Sequence, residues 1–273
     1  MTTIGMIGAG LLGRAIAARL TAAGHAVLGY DIEPTRSLGA ASAQQVADSC
    51  PRIILSLPNS DASADVLDSL VLAPGAIVAD TTTGDPEAVQ ALGARLAARG
   101  IQYLDATISG SSAQVRQGAA IVMAGGSAPA FAACRDIFDA ISTRAFHLGP
   151  CGSGARMKLV VNLALGLNRA VLAEALTFAR ACGVAPELAL EVLKAGASYS
   201  RIMDTKGEKM LTGDFKPEAR LAQHLKDVRL ILAAAAAHGA WTPLSRLHRE
   251  LLERAEAAGW SDADNSAVIK AWE

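Results

Sequence analysis

Lys158 and Asn162 stand four residues apart behind three glycines, Gly149, Gly152 and Gly154, in the pattern GxxGxGxxxKxxxN. On a helix that spacing places an ammonium and an amide on one face, and the glycines permit a tight approach of the chain to the helix start. The positive end of a helix disfavours an ammonium, and so does loss of water. Both effects push a lysine there toward working pH, the range useful for moving a proton. A lone lysine in such a place is more often a solvated helix residue, so the pattern needs support from elsewhere in the chain.

That support comes from the N-terminal part. Gly8, Gly10 and Gly13 form GxGxxG after the apolar stretch Thr3 to Ile7 and before an amphipathic one. Gly8 suits a tight turn, Gly10 lets the backbone approach a pyrophosphate, and Gly13 lets helix and strand pack. Ala9, Leu11 and Leu12 complete the loop whose helix N-terminus faces the anion. Asp31 closes a second apolar stretch 18 residues after Gly13, where a carboxylate can accept hydrogen bonds from an adenosine ribose diol. It would repel a 2′-phosphate, and no cation follows until Arg36. NAD is therefore expected in preference to NADP, with Arg36 the residue that could still turn toward a phosphate.

Positioning these groups takes two kinds of architecture. Up to residue 147, TIGMI, AVLGYD, RIILSL, AIVADT and QYLDA alternate with longer amphipathic segments such as LLGRAIAARLTAAG and PEAVQALGARLAARG. This predicts βα units in a largely parallel, doubly wound α/β sheet of Rossmann type, with strands apolar along their length because helices cover both faces. Beyond Gly149, apolar residues recur at helical spacing over 157–182, 186–195, 217–238 and 243–258, and no strand is expected. The 273 residues suit two domains of roughly 150 each. They read as a dinucleotide-binding domain over 1–152 and an all-α domain over 153–273 that opens on a long interdomain helix.

Composition narrows the function classes. With 51% hydrophobic and 19% charged residues the chain is too apolar to be disordered. No stretch approaches the ~20 uninterrupted apolar residues of a membrane span. Twenty-five basic against 26 acidic residues leave a net charge of −1, so neither nucleic acid nor a membrane surface is an expected partner. Cys50, Cys134, Cys151 and Cys182 form no CxxC pair, and His25, His147, His224, His238 and His248 form no HExxH, so neither a metal site nor a disulfide framework is expected. The start lacks a secretory pattern, and the expected setting is a reducing cytoplasm. Cys151 reads as a small packing residue, and His224, two residues before Lys226, as a lesser substrate candidate.

Five ordered motifs carry a resemblance: TIGMIGAGLLG with AGH at 23–25, LPNS at 57–60, DTTTGDP at 80–86, DATISGS at 105–111, and the glycine–lysine–asparagine junction. With Lys226 and Asp227 as a sixth, they resemble the β-hydroxyacid dehydrogenase family, which includes 3-hydroxyisobutyrate dehydrogenases and tartronate semialdehyde reductases. The resemblance implies that Lys158 is the general acid/base, that Asn162 helps orient the substrate, and that Ser109 and Gly110 hold its carboxylate, with Ser111 beside its tail. It also implies that Leu57, Pro58 and Thr83 line the cofactor and that Lys226 reaches the nicotinamide end. A hydroxyl and the N–H groups of a glycine-bordered turn suit a carboxylate chemically, although the same residues alone would read as a turn.

The chain departs from the family in two places. Family members usually read proline, valine, serine and two glycines where this chain has Thr107, Ile108, Ser109, Gly110 and Ser111. Ser111 adds bulk and a hydroxyl at the substrate tail, and Ser112 continues the polar stretch, which argues against an ordinary 3-hydroxyisobutyrate preference. Thr82 replaces a usual serine and keeps its hydroxyl.

The implied activity is hydride transfer between NAD and a small 3-hydroxy acid, or the matching semialdehyde, in the cleft between the domains. A homodimer or homotetramer is implied too, and the long alanine-rich helix exceeds what a small helical domain needs. Three alternatives differ in class. An imine reductase-like enzyme commonly carries aspartate or tyrosine where Lys158 stands. A 6-phosphogluconate dehydrogenase needs a longer helical domain. A dinucleotide-binding protein without chemistry is opposed by the joint presence of Lys158, Asn162 and Lys226.

Overall fold

The computed structural model describes residues 3–273 and divides the chain into two compact units, Met1–Lys158 and Leu159–Glu273. The division falls after Lys158, inside a helix, and not at the Gly152–Ser153 step that the glycines suggested. The reason is local: the first turn of that helix is hydrogen-bonded to the sheet of the first unit.

The first unit is built on seven strands, β1 Ile4–Ile7, β2 Val27–Tyr30, β3 Arg52–Leu55, β4 Ile77–Asp80, β5 Gln102–Ser109, β6 Ala120–Gly125 and β7 Ser142–His147, in the order β2-β1-β3-β4-β5-β6-β7. All neighbours are parallel except β5 and β6. The helices between them are α1 Leu11–Ala22, α2 Ala43–Ser49, α3 Ser60–Ser69, α4 Pro86–Ala98, α5 Ser112–Arg116, α6 Ala128–Ala133 and α7 Arg135–Ile141. This is the expected doubly wound α/β sheet.

Its strands are apolar throughout because successive side chains enter opposite cores. Ile4, Met6 and Ile54 pack on one face with Leu20, Leu104 and Phe138. Ile7, Ile53 and Leu55 pack on the other with Val78, Leu92 and Leu96. Strands β6 and β7 lie outside the sequence reading. The latter is an edge strand whose residues are mostly exposed, so it carries no apolar pattern.

The second unit is helical: α8 Ser153–Ala181, which begins in the first unit, then α9 Pro186–Ala195, α10 Arg201–Thr212, α11 Leu221–Ala237 and α12 Pro243–Ala255. Its core gathers Leu172, Leu176, Met203, Leu225, Leu252 and Val268. Helix α10 is absent from the sequence reading. It buries Ile202, Met203, Lys206 and Met210 on one face, and its Gly207 lies against the Leu190 side chain. By length and composition alone α8 could cross a membrane, and 44% of its most apolar stretch is buried inside the fold. Its buried side includes Asn162 and Arg169.

Candidate active site

The glycine turn follows β1 where the strand order reverses, since β2 lies on one side of β1 and β3 on the other. Gly8 sits at φ +89°, and a Cβ on Gly13 would collide with the Gly8 carbonyl oxygen, so helix α1 can close on the turn only with glycine at both places. At Gly10 an added Cβ meets nothing within 4 Å, which leaves the backbone open to a ligand. This is the cradle a pyrophosphate needs at a helix N-terminus. Asp31, just past β2 and buried, accepts the Ala9 N–H on Oδ2 at 2.6 Å and the Glu33 N–H on Oδ1 at 2.9 Å. Its carboxylate is thereby fixed beside the turn.

The next two loops are joined through one hydroxyl. Thr82 Oγ1 accepts the Leu57 N–H at 3.0 Å and the Ser63 hydroxyl at 3.3 Å. The Thr82 N–H in turn donates to Asp80 Oδ1 at 2.9 Å, and the Tyr103 hydroxyl donates to Asp80 Oδ2 at 2.9 Å. Burial pushes the Asp80 carboxyl up against these bonds. The Tyr103 phenol is pushed well above its ordinary range by burial and by Asp80. Pro58, exposed, and Thr83, half-buried, ride on the loops so fastened. Leu57, Pro58, Thr82 and Thr83 lie beyond the carboxyl ends of the parallel strands β3 and β4, the general place for a ligand crevice in open α/β sheets.

Strand β5 runs on past its parallel partner β4, pairing Ser109 with Ile121 of β6. Ser109 is the last strand residue, and Gly110 follows at φ +146° with Ala120 packed beneath it. Ser111 is the N-cap of α5: its hydroxyl accepts the Gln114 N–H at 3.3 Å, and Gln114 Oε1 accepts the Ser111 N–H at 2.8 Å. The Ser-x-x-Gln signature of that capping box is visible in the sequence.

Lys158 Nζ donates to the Ile108 carbonyl at 2.5 Å, one residue before Ser109. The structure thus brings the lysine and the Ser109–Gly110 turn together. Asp105, buried, accepts from Gly152 and Ala155 at the start of α8. Burial pushes its carboxyl up while those N–H groups oppose the shift. The Cys151 thiol is pushed up to about 12 by burial and then by Asp105, which makes it a neutral packing group.

In the second unit, the buried Asn162 donates its Nδ2 to Asp227 Oδ2 at 2.8 Å, and Lys226 Nζ lies 3.3 Å from Asp227 Oδ1. Asn162 and Lys226 therefore converge on Asp227. His224 is buried against His248, with ring centroids 5.2 Å apart, and both rings press on Gly166. That is a packing position. Sequence reasoning missed Asp105 and Thr107 on β5 and the use of Asp227 as an anchor. The first two lie inside the DATISGS motif and the third beside Lys226.

A glycine turn on a doubly wound sheet followed by a helical unit defines a class, the NAD(P)-binding dehydrogenase fold. Residues 3–149 match the family described as the NAD binding domain of 6-phosphogluconate dehydrogenase. Residues 152–272 match the one described as the NAD-binding domain of NADP-dependent 3-hydroxyisobutyrate dehydrogenase. The chain is 30% identical over 288 residues to 2-(hydroxymethyl)glutarate dehydrogenase of Eubacterium barkeri, covering 99% of this chain and 94% of that one. It is 31% identical over 283 residues to the human cytokine-like nuclear factor N-PAC, covering 98% of this chain and 51% of that protein. It thus spans about half the length of the N-PAC relatives it matches. The crystal structure of a 3-hydroxyisobutyrate dehydrogenase from Salmonella typhimurium matches with a TM-score of 0.90 at 27% identity, over 99% of each chain. This chain belongs to the β-hydroxyacid dehydrogenase family.

Proposed function

We propose that the protein is an NAD-dependent dehydrogenase of a small 3-hydroxy acid, or a reductase of the matching semialdehyde, with Lys158 as general acid/base. The observation that carries this reading is the bond from Lys158 Nζ to the Ile108 carbonyl, which holds an ammonium beside the Ser109–Gly110 turn. The Ser109 hydroxyl and the N–H groups of that turn would hold the substrate carboxylate. Lys158 Nζ would take the proton from the substrate hydroxyl oxygen during oxidation and return it to the carbonyl oxygen during reduction. Asn162, one helical turn on, gives one amide N–H to Asp227, and its second N–H would donate to the reacting oxygen of the substrate and orient it. The nicotinamide, when bound, supplies the hydride acceptor or donor. The cradle at Gly10 and the fixed Asp31 carboxylate support a dinucleotide there, and Asp31 favours NAD over NADP by charge.

The polar residues Ser111 and Ser112 favour a substrate tail more polar than methyl, and a panel of 3-hydroxy acids assayed with NAD and NADP in parallel ranks the choices. Exposed apolar side chains on the helical unit, Val171, Phe178, Val192, Trp241 and Leu244, support a homodimer or homotetramer, read by light scattering. Lys158→Met is expected to lower kcat ~10²–10⁴-fold while NADH binding, followed by fluorescence, persists. Substantial residual turnover removes Lys158 from the role. A second reading is a dinucleotide-binding protein without chemistry, favoured by the match to a protein named as a nuclear factor. It predicts cofactor affinity and no turnover across the whole panel.

A further inference from the structure

Helix α8 starts on a glycine turn. Its first residue is Ser153, so Gly152 is the N-cap, held at φ +93°, and Ala155 is the third helical residue. In a capping box the N-cap side chain accepts the third N–H, and the third side chain accepts the N-cap N–H. Neither Gly152 nor Ala155 has a side chain able to do this.

Asp105 does both from the neighbouring strand. Oδ1 accepts the Gly152 N–H at 3.0 Å and Oδ2 accepts the Ala155 N–H at 2.8 Å. With both oxygens accepting, the group acts as an ionised carboxylate. Two residues further on β5, Thr107 is fully buried, and its hydroxyl lies between two carbonyl acceptors, that of Gly154 at 3.0 Å and that of Met123 on β6 at 3.2 Å. One turn past Ala155, Lys158 reaches the Ile108 carbonyl of the same strand. The strand that ends in Ser109 therefore grips the helix before the lysine, by bonds to three backbone groups in its first turn.

We propose that Asp105, with Thr107, is the positioning residue of Lys158: the pair fixes the register of α8 on β5, and so the height of Lys158 Nζ beside the Ser109–Gly110 turn. The inference rests on the reading of Lys158 as the proton-transfer group. The Asp105 charge also offsets the positive helix end on which the ammonium sits. The titratable groups facing Asp105 are the Cys151 thiol and the Tyr103 phenol, both pushed up and neutral at working pH, with Asp80 beyond the Tyr103 hydroxyl. Cap removal therefore changes the charge near the lysine as well as its place.

The test compares Asp105→Asn, Thr107→Val and Lys158→Met in the full chain. It reads NADH affinity by fluorescence, kcat and KM across pH with the best hydroxy acid of the panel, and the titration of Lys158 from its 13Cε chemical shift. Asp105→Asn is expected to lower kcat ~10–100-fold with KM within ~3-fold. Both the rising limb of kcat and the Lys158 titration should move to lower pH, because the ammonium loses a nearby negative charge. Thr107→Val is expected to lower kcat ~3–10-fold and leave the titration where it was. NADH affinity stays unchanged in both. Asp105→Asn with wild-type kcat and titration overturns the inference. If that variant does not fold, Thr107→Val with wild-type kcat overturns it. Turnover surviving in Lys158→Met removes the reading beneath it, whereas an inactive Lys158→Met beside an unaffected Asp105→Asn sinks this inference alone.

Discussion

The two units of this chain treat buried polar groups in different ways. In the first, Asp31, Thr82 and Asp105 are fastened to backbone N–H groups of neighbouring loops and helices. In the second, Asn162 is held by the Asp227 side chain and the His224 and His248 rings pack around Gly166, while the buried Asp264 combines both kinds of partner, the Lys206 ammonium with the Glu218 and Ser266 N–H groups. Burial would raise Asp264, but the Lys206 ammonium and the Glu218 N–H hold it below the usual carboxylate range. Backbone partners cannot be lost by substitution and barely move, so they suit a site whose atoms must keep fixed places. Side-chain partners tolerate adjustment and make a stable interior that titrates.

The contrast is sharpest at two glycines of one helix. On Gly154 an added methyl would collide with the Asp105 carbonyl oxygen and come within 2.6 Å of the Met123 carbonyl oxygen, both on sheet strands. On Gly166 it would meet His248 Cε1 at 2.5 Å and His224 Nε2 at 2.6 Å, both ring atoms at the ends of side chains. Gly154→Ala is expected to cost more than ~3 kcal/mol or to prevent folding, because neither strand can retreat. Gly166→Ala is expected to cost only ~1–2 kcal/mol, because the rings can tilt and alanine returns about 1 kcal/mol of helix propensity. Urea unfolding of the two variants gives the comparison, and equal losses would erase the distinction between backbone and side-chain packing.

Acid should separate the units next. The His248 imidazole is pushed down to about 4 by burial and then by the Arg169 guanidinium. An unfolded histidine titrates near 6.5, so the folded form resists a proton that the unfolded chain accepts. This contribution is fully present above about pH 6.5 and is lost as pH falls to about 4, amounting to about 3 kcal/mol. The sign is opposite for Asp80 and Asp105, whose pKa values are raised, so that acid favours their folded form. Trp241, Trp260 and Trp272 all lie in the second unit, so tryptophan fluorescence reports that unit. Its urea midpoint should fall between pH 6.5 and 4, and His248→Phe should flatten the dependence. An undiminished slope in that variant would assign the acid sensitivity to other groups.

What the sequence shows of this molecule follows the same division. The glycine turn, Asp31 and the glycines before α8 were legible because a required backbone conformation or a close approach demands a residue type. The parallel sheet was legible because strands covered on both faces are apolar throughout. Asp105 sits inside a motif read for its serine and glycine. Its partners lie 47 and 50 residues away and offer only N–H groups, which no side-chain pattern announces. Ser111 shows the converse: its local role, the cap of the helix it begins, is legible from Gln114 three residues on. Helix α10 went unseen because only one face of RIMDTKGEKMLT is buried, and that face includes a lysine and a glycine.

The smallest expected effect concerns cofactor choice. Both Asp31 oxygens already accept backbone N–H groups, at 2.6 and 2.9 Å, so the carboxylate cannot swing away from a 2′-phosphate as an exposed side chain would. Asp31→Asn keeps one oxygen acceptor for the Ala9 N–H and removes the charge. The ratio of kcat/KM for NADP over NAD is then expected to rise ~10-fold, a change of about 1.4 kcal/mol. Arg14, which donates to the Thr35 carbonyl at 2.8 Å, ties α1 to the loop after Asp31 and keeps the site in place while the charge changes. A ratio that does not move would show that the discrimination comes from elsewhere on that loop, with Arg36 the next group to substitute, and would weaken the rule that fixed backbone partners make a charge selective.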